Sequence, residues 1–323
     1  MSEVAERIES IRGVSTLDGL YEQVDQINVS PGWIQRPKPI LWAEPKSEYV
    51  PAHWRYDQAK AALDAAGRLI DVTLAERRNL VMRNPTDPEW KTTRTLVAAY
   101  QMILPGEKAR SHRHAPHALR VIIDGKGSYS TVNGEKTPME TGDVVLTPGW
   151  CWHEHGHDGD APAYWLDVLD VPLTQLLEPM FYEDHPDRFE KNVKAVTESP
   201  YRFTRAAIQR RLDQARPDNE GFHGPRIDLP GPTMPTMGLW VERLAAGTKT
   251  RPQRSTANRI FSIMEGEGET VIGGERFAWQ RGDTFCIPSW NKFEHHAQSD
   301  TQLFESSDEP LMRFSNYYRF QGD

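Results

Sequence analysis

The chain has 323 residues, enough for two modules and their connections and too many for one compact barrel. Acidic residues outnumber basic ones, 46 Asp plus Glu against 38 Lys plus Arg, and no stretch gathers the basic residues into a stripe, so neither nucleic acid nor an anionic membrane is an expected partner. A run of about eighteen apolar residues, the length of a membrane span, occurs nowhere.

The opening residues, MSEVAERIESIRGVSTLDGL, are charged throughout and lack the apolar core of a secretory signal, so a soluble, cytoplasmic protein is expected. From Trp54 to Ile70, WRYDQAKAALDAAGRLI spaces Tyr56, Ala59, Leu63, Ala66 and Ile70 at steps of three and four, which predicts a helix. A helical N-terminal arm over residues 1–85 follows from that. Beyond Asn84-Pro85 the texture changes to short alternating runs broken by Gly, Pro and Asn, such as LVAAYQMILPGE, LRVIIDGKG and YSTVNGEKT, which predict short antiparallel strands. Residues 171–230 place Leu173, Leu176, Leu177 and Met180 at helical spacing ahead of a polar stretch rich in Arg and Pro, and read as connecting helices with an irregular linker. Strand texture then returns in GLWVERLAAG, RIFSIMEGEGETVIGGERF and GDTFCIPSW. The two cysteines, Cys151 and Cys286, fit neither a disulfide framework nor a Cys-x-x-Cys metal site and are expected to be reduced, buried thiols.

The second strand-rich block repeats the first. Leu104-Pro105-Gly106 answers Ala245-Ala246-Gly247, Gly125 and Gly127 answer Gly266 and Gly268, and Gly142-Asp143 with Pro148 answers Gly282-Asp283 with Pro288. A period of about 140 residues marks a duplicated domain. The predicted fold is mainly β, a bicupin: two jelly-roll β-barrels, at 86–170 and 231–323, joined by the connecting helices and preceded by the helical arm. Barrel closure also removes the strand edges that would aggregate.

His112, His114, His117, His153 and His155 cluster in sequence. Residues two apart on a strand share a face, so His112 and His114 send both imidazoles into one barrel interior, as do His153 and His155. The first pair follows Gly106 as G-x5-H-x-H, and His153 closes G-x5-P-x4-H from Gly142; these are the two cupin metal motifs. Where the first motif usually continues with a glutamate this chain has Ala118 and Leu119, leaving three neutral nitrogen ligands. Such a set suits iron, zinc, copper or nickel and leaves coordination positions open. His155 reads as a residue beside the ligands that orients substrate or carries a proton, kept neutral by a nearby cation. His117 and His157 read as rim or surface residues. In the second block Gln253 and Ser255 stand at the aligned positions, and the adjacent His295 and His296 point to opposite faces, so no catalytic metal is expected there.

The segments HWRYDQAKAALDAAGRLI, AERRNLVMRNP, QMILPGEKARSHRHAPHALRVIIDGKGSYSTVNGEKTPMETGDVVLTPGWCWHEHG and WLDVLDVPL together resemble the gentisate 1,2-dioxygenase family of bicupins, which includes salicylate and 1-hydroxy-2-naphthoate dioxygenases. The resemblance implies one Fe(II) per subunit on His112, His114 and His153. It implies an aromatic 2-hydroxy acid chelated through carboxylate and hydroxyl, dioxygen as second substrate, and ring cleavage between the carboxyl-bearing and hydroxyl-bearing carbons. By motif match Arg120 holds the substrate carboxylate, Gln101 hydrogen-bonds to substrate or oxygen, and Arg78 lines the entrance, while the family precedent for assembly is a homotetramer. Val97 stands where gentisate and salicylate dioxygenases commonly carry Tyr or Trp. The volume this frees points to a 2-hydroxybenzoate with a nitro or amino group at ring position 5, with gentisate as the alternative, and His117 adds a hydrogen bond if it turns inward. Two other readings stay open: a metal-dependent cupin isomerase, hydrolase or decarboxylase on the same histidines, and a non-catalytic bicupin, which has no need of the triad.

Overall fold

The computed structural model describes residues 2–35, 40–71, 74–75, 77–230 and 234–323. Met1–Glu44 and Pro45–Asp323 form two units. In the first, Ser2 and Thr16 start the helices Glu3–Arg12 and Leu17–Gln26, their hydroxyls accepting from the Ala5 and Gly19 N–H groups of the first turn. Neither helix buries a residue.

The second unit is a bicupin: each barrel is built from two facing sheets. In the first barrel the inner strands Val144–Thr147, Ala118–Asp124, Ala163–Leu169 and Val97–Ile103 lie side by side, facing a sheet whose centre is Lys108–His114, His153–His157, Ser128–Val132 and Glu135–Met139. The second barrel repeats the order with Thr284–Ile287, Arg259–Glu265, Thr301–Ser307 and Gly238–Leu244. Alternation decides which side chains go where. Along Val97–Ile103, Ala98, Tyr100 and Met102 enter the apolar layer between the barrels, shared with Val241, Ile260 and Phe304, while Ile103 joins Ile122 and Trp165 inside the first barrel. Among the described residues no helix is long and apolar enough to cross a membrane.

The arm is less helical than its pattern predicts. Tyr56–Leu69 is the expected helix, burying Tyr56 and Leu63, but Ala52–Trp54 is a strand on the second barrel's sheet and Arg78–Val81 a strand on the first barrel's. The residues after 44 therefore lace both barrels. Tyr56 donates to Asp124 of the first barrel at 2.7 Å through its hydroxyl and from its N–H to Asp283 of the second at 2.8 Å. The linker departs in the same way. Leu173 to Met180 yields only the six-residue helix Val171–Leu176, leaving Leu176 and Leu177 exposed, and Arg205–Gln214 is the other helix of the segment. Between them Tyr182–Asp184, Lys194–Ala195 and Arg202–Phe203 extend the first barrel's sheets, and Arg226–Asp228 extends the second's. Short runs take whichever conformation lets a neighbouring sheet edge pair, and local periodicity cannot register that edge. The expected start of the second barrel at residue 231 lies outside the described residues. Both thiols are free; Cys286 is buried as expected, whereas Cys151 is only half-buried.

Candidate active site

The histidines converge because of a bulge that sequence spacing does not announce. Ala109 pairs with His155, yet His112 pairs with His153, so Lys108–His114 carries one extra residue between these pairs. Cross-strand partners share a face, and regular pairing from Ala109 would turn Ser111 inward and His112 outward; the bulge reverses the phase and aims His112 and His114 into the barrel. The imidazole centroids of His112 and His114 then lie 4.3 and 4.8 Å from that of His153, and one ring nitrogen from each of the three falls within 4.8 Å of the others.

Each of these rings has its Nδ1 at a backbone carbonyl: Arg110 O at 3.1 Å for His112, Pro116 O at 2.8 Å for His114 and Cys151 O at 3.0 Å for His153. A carbonyl only accepts, so Nδ1 carries the proton and donates, and Nε2 keeps its lone pair in all three. Burial, reinforced by the charge of Arg77, holds His112 down to about 3; burial holds His114 down to about 4 and puts His153 well below the usual imidazole range. The triad is thus neutral at physiological pH and presents three nitrogen donors to one point. That donor set fits a divalent transition metal.

Around the triad lies a buried polar network. Arg120 sits opposite Asp167 in the sheet, which turns it inward while Leu119 and Val121 face the other barrel. This pairing aims Arg120, which stands on a different strand from His114. Its Nε lies 3.2 Å from Asp167 and its Nη1 donates to Thr147 Oγ1 at 2.7 Å. Burial lowers Arg120 to about 10, still a cation at neutral pH, and burial raises Asp167 against the pull of Arg120. Gln101 donates to Asp167 through Nε2, and its Oε1 has no hydrogen-bond partner among the described residues. His155 is fully enclosed, its ring 5.8 Å from that of His153 and 6.1 Å from that of Trp165, and neither of its nitrogens has a partner among the described residues. Burial and then the charge of Arg120 hold it well below the usual range, so it too is neutral. Val97 is buried, opposite Leu169, in phase with Gln101.

Arg78 does not line this site. It lies opposite Met102, on the face turned toward the other barrel, with its guanidinium on Glu107 and, from Nε at 3.1 Å, on the Ile70 carbonyl. Asn79 pairs with Gln101, so Arg77 is the arginine in phase with the interior, and its charge acts on His112, His114, His155, Arg120 and Asp167. His117 has its Nδ1 occupied, accepting from the Gly149 N–H at 2.9 Å, and its backbone N–H is bound to Asp170, which ties it to the barrel wall. His157 is buried, not superficial, its Nδ1 accepting from the Gly159 N–H at 3.2 Å. Sequence reasoning overlooked Asp167. A lone carboxylate inside the apolar strand Ala163–Leu169 was its signal, since a buried charge requires a partner.

In the second barrel Gln253, Ser255 and Phe293 stand at the triad positions, and His295, the counterpart of His155, has its Nδ1 2.8 Å from Thr270 Oγ1. His296 points outward to Glu269 and Glu294.

The cupin domain family model matches residues 99–169, the stretch that holds all three triad histidines. A gentisate 1,2-dioxygenase of Aquipseudomonas alcaligenes is 33% identical over 93% of this chain and 94% of its own length. A 5-aminosalicylate 1,2-dioxygenase of a Comamonas species is 32% identical, covering 94% of this chain and 90% of its own. The crystal structure of the salicylate 1,2-dioxygenase from Pseudoaminobacter salicylatoxidans with gentisate superposes with a TM-score of 0.86 at 27% identity, covering 96% of this chain and 95% of that one. Identity of this extent, over nearly the whole of both chains and through the barrel that carries the three histidines, makes the chain a member of the gentisate 1,2-dioxygenase family of ring-cleaving oxidoreductases.

Proposed function

We propose that this enzyme opens the ring of a 2-hydroxybenzoate between the carboxyl-bearing and hydroxyl-bearing carbons, using one Fe(II) per subunit held by His112, His114 and His153. The observation that carries the reading is the triad itself: three neutral imidazoles whose Nδ1–H groups are all committed to backbone carbonyls, beside a buried arginine. A metal held by these three imidazoles would supply the redox chemistry that ring opening by dioxygen needs.

The chain's own residues do the rest. Arg120, held by Asp167 and Thr147, offers its planar fork to the substrate carboxylate. Because its side chain is already fixed and dry, little conformational entropy is lost on binding and the ion pair is weakly screened. Arg77 adds a second positive charge that acts on the site. Gln101 Oε1, with Nε2 committed to Asp167, is an acceptor for a substrate hydroxyl. His155 remains neutral, and its unpartnered ring nitrogens offer a hydrogen bond that orients the substrate. Ile103, Ile122 and Trp165 wall the interior against water.

The substrate is gentisate or a 5-substituted salicylate such as 5-nitrosalicylate or 5-aminosalicylate. Val97 leaves room beside the ring, and the relatives include an enzyme named for 5-aminosalicylate. The active form is a homotetramer. Oxygen uptake by the Fe(II)-loaded protein is to be measured with gentisate, salicylate, 5-nitrosalicylate and 5-aminosalicylate, in the native chain and in Val97→Trp. Uptake with at least one acid, and a shift toward the smaller acids in Val97→Trp, is expected. No uptake with any of the four sinks the dioxygenase reading, and an unchanged ranking in the mutant sinks the enlarged pocket.

A further inference from the structure

We infer that the seam between the two barrels carries a second, non-catalytic site that binds a small organic carboxylate. A cavity of about 290 Å³ lies between Ala118–Asp124 of the first barrel and Arg259–Glu265 of the second. That is close to the lower end of small-molecule pockets, roughly 300 Å³, and far beyond the 10–15 Å³ or so that one water needs. Val121, Ile123 and Met264 give it an apolar wall.

The polar side of the cavity is dominated by donors; the one carboxylate in its lining, Glu265, is paired with Arg205. Ser262 and Gln302 both line it, are 1% and 3% exposed, and carry polar atoms, Ser262 Oγ and Gln302 Nε2, with no partner among the described residues. The orientation of the Gln302 amide follows from the chain of bonds behind it. Arg243 can only donate, and its Nη2 lies 2.7 Å from Gln209 Oε1; Gln209 must then donate through Nε2, which it does to Gln302 Oε1 at 3.0 Å. The end of Gln302 left over is an N–H donor. Arg205 and Arg281 complete the lining at its more exposed side. Arg205 is paired with Glu265 and Arg281 with Asp124, but a guanidinium has five N–H groups and one carboxylate does not exhaust them. The side chain of Arg205 reaches the seam by crossing Gly142, where a Cβ would stand 2.8 Å from Arg205 Cδ and where φ is +87°. The glycine of the second metal motif therefore also admits the rim arginine.

Neutral donors, two guanidinium groups and an apolar wall call for a ligand that brings acceptor oxygens on a short apolar body. A carboxylate on an aromatic ring or a short unsaturated chain satisfies this. Val121 follows Arg120 directly on the strand, so the seam ligand and the Arg120 side chain lie on opposite faces of the same strand.

The test is calorimetric titration of the full-length, metal-loaded protein with benzoate and, separately, with fumarate. One of the carboxylate sites per chain is expected to vanish in Ser262→Ala/Gln302→Leu, and Arg205→Ala is expected to weaken that same site at least tenfold. A melting curve establishes that each variant is folded, and Arg205→Ala, changed at a half-exposed position, decides the matter if the double variant does not fold. Loss of a benzoate site assigns the seam to an aromatic acid and loss of a fumarate site to a compact dicarboxylate, each of which supports the inference. Unchanged numbers of sites and unchanged affinities for both acids in folded variants overturn it. Since no oxygen uptake enters the readout, failure here leaves the ring-cleavage reading intact.

Discussion

The two barrels repeat one strand order and fill it with opposite contents. In the first, three imidazoles point their lone pairs at one place, and Gln101 Oε1 and both nitrogens of His155 have no hydrogen-bond partner among the described residues. In the second, the positions of the triad hold Gln253, whose Nε2 donates to Phe222 O at 3.0 Å, Ser255, whose Oγ accepts from Arg259, and Phe293, which packs in the core. The charges there close on one another: Arg226 and Arg259 meet Glu305, Arg259 also meets Glu309 at 3.0 Å, and His223 lies 3.2 Å from Glu242. Gln101 and Asp167 correspond to Glu242 and Glu305, so the duplicated frame kept polar residues at both places. A buried polar group costs stability unless it has a partner. At the positions that correspond to the site, the side chains of the second barrel meet one another or the core, whereas those of the first are left to be met by what binds. The difference teaches that function here resides in side-chain substitutions on a shared frame rather than in the frame.

The largest effect that would sharpen this contrast is at the triad. His153→Ala should abolish bound metal and turnover while leaving the fold intact, whereas His295→Ala should leave metal content unchanged; elemental analysis of the two proteins decides between them, and metal retained at full stoichiometry in His153→Ala would break the comparison. Next comes Arg259→Ala, which leaves Glu305 with Arg226 alone and Glu309 with Arg313 alone. Removing one partner of a buried ionic network costs about 3–5 kcal/mol. Denaturant unfolding should register that loss, and the metal content of the folded fraction should stay native.

Arg120→Ala is the matching change in the first barrel. Losing a buried charge pair to the substrate costs about 2–5 kcal/mol, or roughly thirty-fold to several thousand-fold in kcat/KM, with the metal retained. Near-native kinetics would mean that another cation, Arg77 foremost, neutralises the carboxylate.

The smallest predicted effect is on pH dependence. His112 near 3 and His114 near 4 sit below the ordinary 6.5, so the folded chain binds their protons less tightly than the unfolded one. The stability they contribute is complete above pH 6.5 and is lost as pH falls toward those values, about 2 kcal/mol for each at pH 5. His153 and His155 add in the same direction, while the second barrel has His295 alone, near 4, as its fully buried histidine. Hydrogen exchange of the metal-free protein at pH 7 and pH 5 should therefore show protection fading first in Lys108–His114 and His153–His157. Equal fading in Phe293–Ala297 would contradict this account.

The mainly β duplicated frame, the spacing of the triad histidines and the loss of the triad in the second repeat were legible in the sequence. These are written in short-range terms: alternation with period two, glycines and prolines at turns, and pairs of histidines one residue apart. Only the tertiary structure decided the rest. The bulge between Ala109 and His112, which aims the ligands inward, is a mismatch between two strands some forty residues apart in the chain. The exchange of Arg78 for Arg77 at the site turns on the register of Arg78–Val81 against Val97–Ile103, and two adjacent arginines offer alternation no means of choosing. Asp167 acquired its meaning from standing opposite Arg120. The short strands of the arm and linker took their conformation from the sheet edges they cover. Register is set by pairing energies between distant segments, so a one-residue slip reverses every side chain without changing any local pattern.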